Sequence, residues 1–123
     1  MSHGIGISSL QVLRDALDSL GSRVGRDIAL RQLHILCAVV AAGEDGIDAS
    51  KLSRMTDTSS SAISRNVRIL GDVHYDKQSP GLGLVSVQLD PMDNRRRVVK
   101  ATKEGVEVVR ALLSAVYRDR KPV

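Results

Sequence analysis

Three features of the chain predict a mainly helical α+β fold, in which two consecutive short helices stand beside a β hairpin. Within residues 48–70 lie two compact segments with apolar residues at helical spacing, separated by Thr56-Asp57-Thr58. Residues 90–105, Asp-Pro-Met-Asp-Asn-Arg-Arg-Arg-Val-Val-Lys-Ala-Thr-Lys-Glu-Gly, read as the tip and return strand of a hairpin that runs into a helix. Further helical stripes flank both, one near the N-terminus and one after Thr102. A helix-turn-helix with such a hairpin is a winged helix, and at 123 residues one such domain accounts for the chain.

In order, Leu10, Leu13, Leu17 and Leu20 form one stripe, which predicts a helix over 8–20. Ser8 or Ser9 is its expected cap, and Gly21 its stop. The second helix is expected over 27–42, carrying Ile28, Leu33, Leu36, Cys37 and Val40 inward until Gly43 and Gly46 break the pattern. Gly46-Ile47 leaves room for a bridge strand only. Asp48 then caps a helix over 49–55 with Leu52 and Met55 toward the core. Ser59 caps the next, over 60–70, whose Ile63, Val67 and Leu70 make a buried face that Gly71 closes.

Residues 71–83, rich in Gly, Pro, Ser and Asp and containing His74, Tyr75 and Asp76, read as a loop. A strand over 84–89 pairs with one over 96–101, and Pro91, Asp93 and Asn94 supply the turn chemistry between them. The last helix is expected from Thr102 to about Tyr117, with Val106, Val109, Leu113 and Val116 at heptad-like spacing. The stripes at 8–20 and 102–117 exceed what one small domain covers. They predict dimerisation helices and hence a homodimer.

Charge narrows the partner. Lys and Arg outnumber Asp and Glu by 18 to 14, a mild excess, so its distribution matters more than its size. Basic residues crowd the hairpin (Arg95, Arg96, Arg97, Lys100 and Lys103), and Arg65 and Arg68 lie on the second helix of the pair. That is the footprint of a duplex DNA ligand. Tyr75 and Tyr117 are the only aromatic residues, which argues against recognition of single strands or RNA by stacking. A lone cysteine excludes an intrachain disulfide and fits a reducing compartment. With no leader pattern or membrane-length apolar run, a cytoplasmic location is expected.

The second helix of such a pair presents its N-terminal half to the major groove. Ser59 at the cap, then Ser60, Ser61, Ser64, Arg65 and Arg68, are the expected contacts. Small hydroxyls allow close approach, and Arg65 can pair bidentately with a guanine. In the wing, Arg95 is the expected minor-groove or phosphate contact, with Asp93 holding its guanidinium and Asn94 in the turn. Arg96 and Arg97 alternate along the strand, so at most one shares the DNA side. Cys37, on an apolar helix face, reads as a packing thiol. With His34 it offers two ligands, too few for a metal site. Gly4-Ile5-Gly6 and Gly81-Leu82-Gly83 lack the strand and helix of a nucleotide loop, and no catalytic cluster assembles, so neither enzyme activity nor a cofactor is expected.

At these residues the chain resembles the MarR (multiple antibiotic resistance regulator) family of winged-helix transcription regulators. The family's wing reads Asp-Pro-x-Asp-Arg-Arg, then a short strand and Leu-Thr-x-x-Gly. Asp90, Pro91, Asp93, Arg95, Thr102 and Gly105 fall in register with it. Gly46-Ile47-Asp48 is similar to the family's Gly-Leu-Thr, and Leu52, Ser59, Ile63, Arg65, Val67 and Leu70 match its helix-turn-helix spacing. Gln32, Ile35 and Leu36 resemble its second helix. Met92 and Asn94 stand where arginine is common, and one C-terminal helix follows where many members have two, as in a short, divergent member. The resemblance implies a dimeric, sequence-specific regulator of transcription. Two other readings fit the same residues. One is a protein-interaction module that grips polymerase or another regulator through loop 71–83 or the wing. The other is a ligand sensor with a pocket beside the dimerisation helices.

Overall fold

A computed structural model of the chain describes residues 4–71 and 81–117, apart from the side chain of Asn94. Most of the expected loop 71–83, with His74, Tyr75 and Asp76, lies outside them. The described residues form five helices, α1 (Ile7–Val24), α2 (Leu30–Ala41), α3 (Ala49–Met55), α4 (Ser60–Leu70) and α5 (Lys103–Tyr117). Three strands, β1 (Ile47–Asp48), β2 (Val85–Asp90) and β3 (Asp93–Ala101), make one antiparallel sheet in the order β1-β3-β2. The chain divides into two compact units, one of residues 29–106 and one of the segments before and after them.

In the terminal unit α1 is longer than its leucine stripe predicts. Ser8 and Ser9, expected as caps, lie inside the helix, and the N-cap is Gly6. Gly21 does not stop it. Arg26 folds back beside Gly21 to pair with Asp18 at 2.9 Å, and the helix ends at Gly25, whose φ is 101° and whose N–H donates to the Gly21 carbonyl at 2.9 Å. The leucine stripe is only partly covered within the single chain. Ala16 and Leu20 are buried, whereas Leu10, Leu13 and Leu17 are about half exposed. In α5, Val108, Val109 and Ala115 are buried, while Leu113 is exposed. Spacing identifies an apolar stripe; which edge of it turns inward depends on what it packs against.

In the unit of residues 29–106, α2 begins at Leu30 rather than 27, because Gln32 Oε1 accepts from the Ala29 N–H at 2.9 Å and fixes the first turn there. Its buried residues are Ile35, Leu36 and Val39, so the core face is rotated from the one expected; Ile28, Leu33, Cys37 and Val40 are half-buried. The core continues through Ile47, Leu52, Ile63, Val67, Leu70, Leu84, Val85 and Val99. Met55, expected inside, is 53% exposed, and Thr56 is buried in its place.

The Thr-x-x-Gly motif docks the start of α5 on the segment that leads into β2. The Thr102 hydroxyl donates to the Gly83 carbonyl at 2.7 Å and accepts from the Gly105 N–H at 3.1 Å, while the Thr102 N–H bonds the Leu84 carbonyl at 3.0 Å. A Cβ on Gly105 would stand 2.1 Å from the Leu84 carbonyl oxygen, so only glycine fits. Residues 82–84 in turn donate to the carbonyls of Ile69, Gly71 and Leu70, satisfying the end of α4.

Candidate nucleic-acid interface

Capping chemistry sets both helices of the helix-turn-helix as the residues predict. Asp48 Oδ1 accepts from the N–H groups of Ser50 and Lys51 at 2.7 and 3.3 Å, starting α3. Ser59 Oγ accepts from the Ala62 N–H at 3.2 Å, starting α4. With Ile63, Asn66, Val67 and Leu70 buried, the opposite face of α4 carries Ser61, Arg65 and Arg68 in solvent. Ser60 is exposed in the first turn, and Ser64 is half-buried at the flank of the face.

Beneath this face lies a polar network that the residue pattern did not single out. The turn between α3 and α4 buries Thr56 and Thr58 and holds Asp57 at φ 50°. Arg31, 27 positions earlier in α2, donates from Nη1 to Thr58 Oγ1 at 2.7 Å. The Thr58 hydroxyl donates to the Thr56 carbonyl at 3.0 Å, Thr56 Oγ1 lies 2.7 Å from the Leu52 carbonyl, and Ser53 Oγ bonds the Thr58 carbonyl. Asn66 donates to the Ala62 carbonyl at 2.8 Å and lies 3.4 Å from Gln32 Nε2. Among the described residues no buried side-chain polar atom lacks a partner, so the turn and α4 are pinned to α2 on their inner side.

The wing is longer and less regular than expected. Its return strand starts at Asp93, not 96, and the register slips: Leu89 pairs with Arg97, yet Asp90 pairs with Asp93. Residues 94–96 thus fall between two successive residues of β2, a bulge that re-aims the side chains it carries. The Asp90 carboxylate accepts from the Met92 N–H at 2.8 Å, and Asp93 Oδ1 accepts from the Arg95 N–H at 3.0 Å.

The three arginines take three different positions. Arg95 projects from the tip, 92% exposed, with its Nε 3.4 Å from Asp93 Oδ1, the partner expected for it. Arg96 Nε donates to Asp48 Oδ2 at 2.7 Å, and its Nη1 lies 3.8 Å from Asp90, tying the wing to the cap of α3. This bond is the main cause of an Asp48 carboxyl held below the usual carboxylate range; burial opposes it, and the Ser50 and Lys51 N–H groups add to it. Arg97 lines a cavity of about 260 Å³ together with Ser64 and Arg68 of α4 and apolar Ile63, Val67 and Val99. The structure therefore gathers Ser64, Arg68 and Arg97 around one hollow, with Arg95 on the tip and Arg96 turned to Asp48.

Other candidates are plainly placed. Cys37 is half-buried, and burial pushes its thiol pKa up. Among the described residues no group of three or more His, Cys, Asp or Glu could hold a metal, and no helix is long and apolar enough to cross a membrane.

No protein-family model matches the chain, and no curated protein matches it in sequence. Solved structures do match. The S. aureus MepR–DNA complex superposes with a TM-score of 0.69 at 20% identity, over 93% of this chain and 80% of that one. The PcaV transcriptional regulator from Streptomyces coelicolor gives 0.60 at 25% identity, over 92% and 75%. A MarR transcriptional regulator from Methanosarcina mazei Go1 gives 0.60 at 20% identity, over 90% and 73%. The fold is that of a MarR-like winged helix, as the wing and helix-turn-helix motifs imply.

Proposed function

We propose that the chain is a regulator of transcription that binds double-stranded DNA as a homodimer. The observation that carries this reading is a Ser59-capped helix whose solvent face bears Ser61, Arg65 and Arg68, beside a hairpin tipped by Arg95. The structural likeness to MepR, solved in complex with DNA, supports it. In this reading residues 29–106 meet the duplex. Ser60, Ser61, Ser64, Arg65 and Arg68 enter the major groove, where Arg65 reads a guanine. Ser59 and the first turn of α4 face a phosphate. Arg95, steadied by Asp93, reaches the flanking minor groove, while Arg96 and Arg97 add positive potential.

The half-exposed Leu10, Leu13 and Leu17 of α1, with Leu113 and Tyr117 of α5, supply the apolar surface for a second copy. Two half-sites then lie about 34–36 Å apart, one helical turn.

The test is fluorescence anisotropy with random-sequence duplex DNA across a salt series. Affinity should fall steeply with salt. Arg95→Ala should weaken binding to all duplexes and reduce the slope by about one. Arg65→Ala should instead relax the choice of base at one position, by about 1–3 kcal/mol. A folded dimer that binds no duplex at low salt refutes the proposal and leaves the wing as a surface for a protein partner.

A further inference from the structure

The tip of the wing carries one residue that a reading based on charge leaves out. Met92 is 92% exposed, the highest value among the exposed large apolar side chains of the described residues. It is held out by construction. Pro91 fixes the backbone before it, its own N–H is bonded to Asp90 at 2.8 Å, and Asp93 beyond it is bonded to the Arg95 N–H at 3.0 Å. The result is a preorganised turn with a flexible, unbranched apolar side chain at its apex and an exposed guanidinium three residues later. A cationic tip with an apolar point suits a polyanion whose groove floor offers apolar surface once opened. The stacked bases of a duplex are such a surface, and pyrimidine–purine steps open most easily.

We propose that Met92 is a wedge that enters the minor groove beside Arg95 and presses into a base step, giving the protein a preference for a flexible step there. Burial of one Met side chain recovers free energy of the same order as unstacking one weak step costs. The wedge therefore adds little affinity at the best step and is penalised at stiff ones; it discriminates. This inference rests on the duplex-DNA reading above and assigns Met92 a specificity-determining role within it.

The experiment is selection from a random duplex library with the full chain, alongside Met92→Ala, Met92→Leu and Leu89→Ala, with salt slopes measured on the same proteins. Leu89 is a suitable control because it is also exposed, at 58%, but lies down the strand opposite Arg97. The parent, Met92→Leu and Leu89→Ala should enrich TA or CA/TG at one position outside the major-groove contacts, by about tenfold over other steps. Met92→Ala should lose that preference and keep the remaining motif and the salt slope. If the Met92→Ala motif equals the parent's, or if the parent selects a motif with no step preference at the wing, the wedge is overturned while DNA binding stands. If the parent binds no duplex at low salt, both readings fall together.

Discussion

Asp48 uses one carboxylate for two tasks, and two substitutions separate them. Oδ1 caps α3 through Ser50 and Lys51, while Oδ2 takes the Arg96 guanidinium from 48 positions away. Asp48→Ala removes both. Asp48→Asn keeps an amide oxygen for the cap and loses the charge. A lost N-cap typically costs about 1 kcal/mol, with a range of roughly 0.5–2. Because α3 has only 7 residues and cannot stand alone, its cap belongs in the upper half of that range. The ion pair, with the Arg96 side chain 54% and the Asp48 side chain 19% exposed, is partly screened by solvent and contributes the smaller part. Asp48→Ala should therefore cost about 1–2 kcal/mol, a fall in Tm of roughly 4–8 °C, and Asp48→Asn only a fraction of it.

Urea melts at neutral pH measure that difference, and a pH series tests the charge. The folded carboxyl titrates below its unfolded value of about 3.9, so the unfolded state binds more protons between the two. The stabilisation is complete above the unfolded value and is lost as pH falls through the folded one. Asp48→Asn carries no such group, so its gap from the parent should close in acid. Equal losses for Asn and Ala at neutral pH, or a gap unchanged from about pH 7 to pH 2.5, would refute the assignment.

Three further outcomes are expected. Gly105→Ala forces a Cβ to 2.1 Å from the Leu84 oxygen and should lower stability by about 1–3 kcal/mol; an unmoved urea midpoint would contradict the close approach. Asp57, at φ 50°, should tolerate Asn with little change, whereas Asp57→Val should cost about 1–2 kcal/mol in a thermal melt. Cys37, half-buried with a raised pKa, should react with an aromatic disulfide reagent at least about tenfold more slowly in the folded chain than in urea at mildly alkaline pH; equal rates would show an open thiol.

The helix-turn-helix was legible to the residue because caps are local chemistry. Asp48 and Ser59 each bond N–H groups two or three positions on, and nothing distant is needed to start α3 or α4. Facing was less legible. On α2 the stripe has the correct period, yet Ile35 and Val39 are buried beside Leu36 where Leu33, Cys37 and Val40 were expected, because the packing partner and not the spacing selects the edge of a stripe. Met55 failed for a related reason: the chain leaves the helix just after it, and Thr56 occupies the interior.

At the candidate site, the identities of the surface residues were readable, but their supports were not. Thr58 looks like any turn hydroxyl until Arg31 arrives from another helix. The three arginines look alike in sequence, but a slipped register, invisible to alternation, sends them to three different neighbourhoods.

The network under α4 bears on where binding free energy goes. With Arg31, Thr58, Ser53 and Asn66 already engaged in the free chain, the backbone of α4 has little order left to gain in the proposed complex. Association must instead still the long side chains, at about 0.5–1.5 kcal/mol each. Arg95, almost wholly in water, stands at the costly end of that scale. In the proposed complex α4 would thus enter as a rigid template, and side chains such as Arg95 would give up the freedom.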